Sequence, residues 1–373
     1  MSAIAPSSGR GLVSPGPVGS PVRRARGNPL DLAGAAAVAL AFLALLGALI
    51  VADTTVVWSI AAVYGALALL YAVRVAQRLP FVPFILPGLT MYMIFGVFPT
   101  LQALRYSLYD WTGIGEPTDF VGLKNFAQAL TSPVVYNAAW HNVELFLAVF
   151  VLQNTVALGL ALVLHSKPKF FEAYRAILFS PVIISLVATG LIWQVIFGSN
   201  IGLMTPLLQM LGLGFLVRDW LGDPYVTFWL LVLVQFWQWL GLPMIIYLAG
   251  LQSVPEELTA AGRIDGANEI QVFRHITFPL LAPAFTVVSG LSFITMFRTF
   301  DIPFVMAGPG GAPSGTTDVL SLVVFRTAFG MGGSAATSMQ QGYAVAIGVV
   351  MFLVILAVST LQMIVLRRRE QSL

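Results

Sequence analysis

Long apolar stretches alternate along the chain with short polar or charged connections. Each stretch reaches the roughly 20 residues a helix needs to cross a hydrocarbon layer about 30 Å thick. Eight spans are predicted: Leu30 to Ala52, Thr55 to Val75, Val82 to Leu108, Asn142 to Leu164, Ala173 to Phe197, Thr227 to Gly250, Leu280 to Val305 and Tyr343 to Leu366. Of the 373 residues 58% are hydrophobic and only 9% charged, against about 25% charged in an ordinary soluble domain. A soluble fold could not hide that much apolar surface, so the bilayer is the solvent. The expected class is an all-α integral membrane protein of about eight transmembrane helices.

The basic residues set an orientation, because cytoplasmic loops retain Lys and Arg. One side holds Arg10, Arg23, Arg24, Arg26, Arg74, Arg78, Lys167, Lys169, Arg175, Arg263, Arg274, Arg367, Arg368 and Arg369; the other holds only Arg105, Lys124, Arg218, Arg298 and Arg326. Both termini are therefore expected in the cytoplasm. The same clustering accounts for the net charge of +3 without nucleic acid as a partner. Residues 1–29, rich in Ser, Pro and Gly, read as a disordered basic cytoplasmic tail, and the first span is long enough to be retained where a signal peptide would be removed. The sequence has no cysteine, which excludes disulfides, thiolate metal sites and cysteine nucleophiles. His141, His165 and His275 fall in or beside different loops with no metal-ligand spacing and read as surface residues.

The longest inner connection, Gln252 to Pro279, is charged and carries a helical apolar spacing through Leu258, Ala261, Ile264, Ala267, Ile270 and Phe273. It predicts two short helices joined near Asp265-Gly266, an Asp-Gly pair being suited to a sharp bend. Such a pair either docks into a groove of a soluble partner or lies on lipid headgroups. The longest outer connection, Tyr109 to His141, reads as a small cap.

The inner loop resembles the EAA loop of ABC-importer permeases, in which Glu-Ala-Ala is followed after three residues by Gly and nine residues later by Ile-x-Leu-Pro. Here those positions read Ala260-Ala261-Gly262, Gly266 and Ile276-Thr277-Phe278-Pro279, flanked by Pro255, Glu256, Glu257, Leu258, Arg263, Ile264 and Asp265. The spacing is kept, while Ala260 replaces the Glu of the motif and Gly262 its second Ala. Further matches follow in order from about Phe84 to Arg369: Phe98-Pro99, Ser107-Leu108-Tyr109-Asp110-Trp111, the run Phe120 to Phe126, Ala249 to Gln252, Phe300-Asp301, Gly308 to Gly315 and Gly342-Tyr343-Ala344. Together they resemble sugar permeases of the maltose-transporter type.

That resemblance implies a six-helix permease core (81–373, coupling loop 252–279) preceded by two extra N-terminal helices (30–80) in a bacterial or archaeal cytoplasmic membrane. It implies a heteromeric complex with a second similar permease, two ATPase subunits and an extracytoplasmic solute-binding protein docking on outer loops such as Tyr109 to His141 and Gly308 to Gly315. No cofactor belongs to this chain, which lacks a phosphate-cradling Gly-rich loop; ATP and Mg would be bound by the partner subunits. Coupling would fall to Glu256, Glu257, Ala260, Ala261, Gly262, Asp265 and Gly266, and a sugar would cross by alternating access.

Polar groups inside spans are costly and face a cavity or another helix. Candidates include Asn142, Gln153 and Asn154 in the fourth span and Ser185 and Gln194 in the fifth. Gln235, Gln238 and Trp239 share one helix face by their i, i+3, i+4 spacing, as do Ser292, Thr295, Met296 and Thr299 in the next span. Amides, hydroxyls and an aromatic plane suit a sugar; they equally suit interhelical hydrogen bonding and packing. Arg298 and Asp301 read as a structural pair, and Gly159 and Ala161 as small residues at helix contacts. Importing a polyol or glycerol phosphoester by the same machine is the nearest alternative, and an arginine in the pathway would favour an anionic solute. An ion-driven secondary transporter would need midmembrane ion sites and internal repeats, and a membrane enzyme a catalytic cluster; neither signature is present in the sequence.

Overall fold

The computed structural model describes residues 65, 88–89, 91–198, 202–331 and 339–370, without the side chains of 366–370. The expected tail and the first two spans lie outside the described residues, Gly65 excepted, and so does most of the first half of the third. The chain divides into two units, residues 1–101 and 102–373. In the first, the described part of the third span is helical with a π-helical turn at Met93–Val97. It runs into α1 (Phe98–Tyr106), where the Thr100 hydroxyl donates to the Gly96 carbonyl at 2.8 Å.

Among its described residues the regular structure of the second unit is helical apart from a two-residue antiparallel pairing of β1 (Tyr109–Asp110) with β2 (Asp119–Phe120). After α2 (Lys124–Thr131), the fourth span is one helix, α3 (Pro133–His165). It starts nine residues before the position expected, because Pro133 at the first turn gives it an N-terminus outside the apolar run. The last is likewise one helix, α14 (Gln341–Glu370). Of the three spans between, the fifth and sixth are broken, and the seventh bends against the loop helix before it. α4 (Phe171–Ile183) meets α5 (Leu186–Phe197) at 96°, and α7 (Pro224–Trp239) meets α8 (Gly241–Gln252) at 46°. The loop helix and the seventh span, Glu269–Leu280 and Ala282–Phe297, meet at 64°. A short helix, α6 (Met204–Met210), lies between α5 and α7. By length and composition up to five of the eight predicted spans are recognisable among the described residues, the fifth and sixth as bent pairs and the seventh with the loop helix before it. The apolar runs had given no sign of the breaks inside the fifth and sixth spans, whereas the third falls at the predicted boundary between loop and seventh span.

Packing explains the arrangement. Ala157, Ala161 and Leu164 recur at helical spacing on α3 and are buried against Tyr247, Leu248 and Leu251 of α8, small residues letting the backbones approach. Gly159 takes no part in this contact, since a Cβ there would meet nothing within 4 Å. A second cluster joins Leu145 and Val149 to Leu230, Leu231 and Val234 of α7 and Ile302 and Met306 beyond the seventh span. Outward faces of α3 and α14 stay apolar and exposed, with Leu147, Val151, Phe352, Leu356 and Leu361 among them; hydrocarbon, not water, suits that surface.

The motif residues of the outer side converge. Asn125, buried, donates from Nδ2 to the carbonyls of Ser107 and Tyr109, both at 2.9 Å. Gly342 at the start of α14 donates its N–H to the Trp111 carbonyl at 3.0 Å. A Cβ on Gly342 would stand 2.1 Å from the Tyr109 carbonyl oxygen, which is backbone and cannot turn aside. Gly342→Ala is therefore expected to lower stability by about 1–3 kcal/mol through overpacking, read as a lower thermal midpoint in detergent. Gly348→Ala, with open space at its Cβ, serves as the neutral comparison.

Candidate functional site

Two regions gather the predicted site residues. The first is the inner loop. Here α9 (Glu256–Ile264) begins at Pro255 and carries Glu256 and Glu257 in its first turn and Arg263 in its last, each charge favourable to the helix dipole. Its end is a Schellman closure: Ala267 N–H reaches the Gly262 carbonyl at 3.0 Å and Gly266 N–H the Arg263 carbonyl at 3.1 Å. The geometry requires φ of +86° at Gly266, a conformation that side chains other than glycine resist. Only Asn268 then separates the turn from α10 (Glu269–Leu280, with a π-helical turn at Phe273–Thr277). Asn268 and Gln271 cap it reciprocally at 2.8 and 2.9 Å.

Across the bend the Arg263 guanidinium donates to both Glu269 oxygens, at 2.8 and 3.1 Å. The hydrogen bonds and the positive charge of Arg263 hold the exposed Glu269 carboxyl below the usual carboxylate range. Gly262 brings α9 close to α10: a Cβ there would meet the tip of Ile276 at 2.7 Å, so the small residue at this motif position fits the contact. Ala260, Ala261 and Asp265 are exposed with Glu256 and Glu257. The apolar face predicted to organise the loop is largely outward, Ile264 being 85% and Ile270 77% exposed. α9 stands across a cleft of about 920 Å³ from the end of α3, with Leu162, His165 and Lys167 on the facing wall.

The second region is where the bent spans meet. Trp239, Ser292, Thr295 and Met296 line one shallow recess together with Gln153 and Pro243. The recess holds about 20 Å³, room for a single water. Gln153 donates to the Trp239 carbonyl at 2.6 Å. That carbonyl is the one Pro243, four residues on and without an N–H, leaves unpaired. Ser292 Oγ lies 3.4 Å from Gln153 Oε1 as donor.

Gln235 and Gln238 share a face as expected, but both are buried inside the chain. Gln238 donates to the carbonyls of Pro181 and Ile184 at 2.8 and 3.0 Å and accepts from the Thr189 hydroxyl. It closes the groups freed by the sharpest break, between α4 and α5. Gln235 donates to the Thr299 hydroxyl. Ser185, at the start of α5, is exposed and makes no capping bond with its side chain. Arg298 and Asp301 form no ion pair among the described residues; Arg298 is exposed at the end of α11 (Ala282–Phe297), and Asp301 opens α12 (Asp301–Ala307).

Reasoning from the sequence missed a different pair. Asp318 accepts both guanidinium nitrogens of Arg326, at 2.5 and 2.7 Å, with both side chains nearly buried. His141, expected at the surface, is half-buried with Nδ1 3.1 Å from the Asp318 carbonyl oxygen. The eight-residue separation of Asp318 and Arg326 across a turn and a helix gave no local signal. No group of three or more His, Cys, Asp or Glu able to hold a metal occurs among the described residues.

Comparison with known proteins decides the family. The sequence family described as "Binding-protein-dependent transport system inner membrane component" matches residues 125–371. The chain belongs to this family. AmyD of Thermoanaerobacterium thermosulfurigenes, a probable starch degradation products transport system permease protein, is 34% identical over 77% of this chain and 94% of its own. The arabinooligosaccharides transport system permease protein AraP of Bacillus subtilis is 34% identical over 79% and 90%. The fold of a chain from the crystal structure of a bacterial ABC transporter involved in the import of the acidic polysaccharide alginate superimposes with a TM-score of 0.66. It is 19% identical and covers 79% of this chain and 97% of that one. Family membership agrees with the motifs read from the sequence, and the α9–α10 segment and the recess fall within the matched residues.

Gln238→Leu is expected to leave the Ile184 carbonyl without a donor and the Thr189 hydroxyl without its acceptor, the Pro181 carbonyl keeping the Ile184 N–H, and to cost about 1–3 kcal/mol. Ser185→Ala should stay within about 0.5 kcal/mol. Thermal unfolding of the two variants in the same detergent checks the contrast.

Proposed function

We propose that the chain is the membrane-spanning translocation subunit of an ATP-driven, binding-protein-dependent importer that moves a di- or oligosaccharide into the cytoplasm by alternating access. The observation that carries the reading is the inner loop, a rigid helical pair that presents apolar side chains away from the rest of the chain. Fully burying an isoleucine is worth about 1.5–3 kcal/mol, so Ile264 and Ile270, left largely exposed, favour a partner surface. The Gly266 turn, the reciprocal cap and the Arg263–Glu269 pair make the loop stiff enough to carry force. Glu256, Glu257, Ala260, Ala261, Gly262, Asp265 and Gly266 would sit in a cleft of one of two ATPase subunits, which bind ATP and Mg.

The recess at Trp239, Ser292, Thr295 and Met296 is too small for a sugar, which fits a site whose other wall belongs to a second, similar permease. Both termini would lie in the cytoplasm, and a solute-binding protein would dock outside. The relatives' names, with starch degradation products and arabinooligosaccharides, support carbohydrate as the substrate class. A second reading, an anionic solute such as a glycerol phosphoester, is favoured by Arg298, exposed and without an ion pair among the described residues at the outer end of the same helix.

The test is ATP hydrolysis by the complex isolated through a tag on this chain, with its solute-binding protein, as neutral and anionic sugars and glycerol phosphoesters are added one at a time. Stimulation by one solute is expected. In Gly266→Val, where a β-branched residue must take the glycine conformation, the stimulation should fall by about tenfold or more, the loss of a conformational shift of that size. Failure of any ATPase to copurify, with uptake following an ion gradient, would contradict the proposal.

A further inference from the structure

Asn142, fully buried in α3, bonds to the backbone of two separate elements. Its Nδ2 donates to the Met296 carbonyl in the last turn of α11 at 3.1 Å. Its Oδ1 accepts the N–H of Leu320, first residue of α13 (Leu320–Phe329), at 2.8 Å. Both partners are helix-terminal groups, a last-turn carbonyl of α11 and the first N–H of α13.

Outward from Leu320 stands Asp318, held by Arg326 and His141. Its carboxylate occupies the space beside Gly311, where a Cβ would come within 2.2 Å, and its N–H bonds to the Gly315 carbonyl at 3.1 Å. The outer segment Gly308 to Gly315 is therefore pinned two residues from Leu320. Past Met296, its carbonyl also takes the Thr299 N–H at 3.4 Å, and the Thr299 hydroxyl accepts from Gln235. One amide side chain thus joins the outer segment to the break between α11 and α12, beside the recess at Thr295 and Met296.

We propose that Asn142 is a positioning residue that transmits docking of the solute-binding protein on the outer segment to this break, and so to the outer end of the pathway. The inference rests on the functional reading above. Its physical basis is that neither bond can open alone without leaving a buried polar group unpaired, so the two elements shift together between discrete arrangements.

The chain has no cysteine, so Asp301→Cys places a single thiol at the break. The complex is isolated through a tag on this chain, placed in lipid nanodiscs and titrated with its solute-loaded binding protein. Thiol modification is read on this chain's own band, and ATP hydrolysis is followed in parallel. Docking is expected to change the modification rate by about tenfold, as for a displaced two-state element. Adding Asn142→Ala should reduce that response to less than about twofold, with basal hydrolysis and the half-saturating binding-protein concentration little changed.

Leu320→Pro makes the same cut from the other side, removing the N–H and keeping Asn142. Val319 is already extended at φ −122°, ψ 156°, as a residue before proline requires, and the first helical position tolerates proline. The same loss is expected there. A full response in both variants overturns the inference. So does loss of basal and stimulated hydrolysis together, or failure of both variants to assemble, since Asn142 would then be structural only. An unmodified complex that ignores the binding protein contradicts the functional reading and takes the inference with it.

Discussion

Hydrocarbon supplies no hydrogen bonds, so any helix that breaks within it must find partners for the backbone groups the break sets free. This constraint shapes the second unit more than any single packing contact. Two spans are broken, and side-chain amides stand at both openings, Gln238 at the carbonyls of Pro181 and Ile184 and Gln153 at the Trp239 carbonyl, while Asn142 serves the end of α11 and the start of α13 at Met296 and Leu320. Each is nearly or fully buried. The apolar clusters press the helices together, and the amides determine where those helices can turn.

The two candidate regions answer opposite demands. Around the recess, polar side chains are spent inside the chain, and what remains at its edge is an aromatic plane and one or two hydroxyls. In the inner loop the polar groups fix the backbone while apolar side chains stay unspent on the outside. The first pattern fits the proposed wall that a second subunit would close, the second the proposed handle that a partner would grip. A rigid handle joined to bent spans suits a machine that moves packed bodies between two arrangements.

Much of this was legible in the sequence. Apolar length located the later spans among the described residues, Asp265-Gly266 gave the bend, and the order of short motifs gave the family. The positions of the breaks were not legible, because hydrophobicity runs straight through Ile184 and Leu240. Nor was the division of labour among the amides: i, i+3 spacing put Gln235 and Gln238 on one face, but which neighbour that face meets depends on the 96° turn at Pro181 to Ser185. The pairing of Arg298 with Asp301 followed from proximity in sequence, whereas the ion pair formed is Asp318 with Arg326, brought together by the helix that starts between them. Local pattern specifies elements, and tertiary geometry assigns their polar residues.

The central claim is that the α9–α10 pair is gripped by an energy-supplying partner. The most direct measurement places a photocrosslinking residue at Ile264 of the full-length chain in native membranes and identifies the adducts by mass spectrometry. The account predicts adducts to a nucleotide-binding ATPase subunit. Adducts to lipid alone would contradict it and make the loop a surface helix.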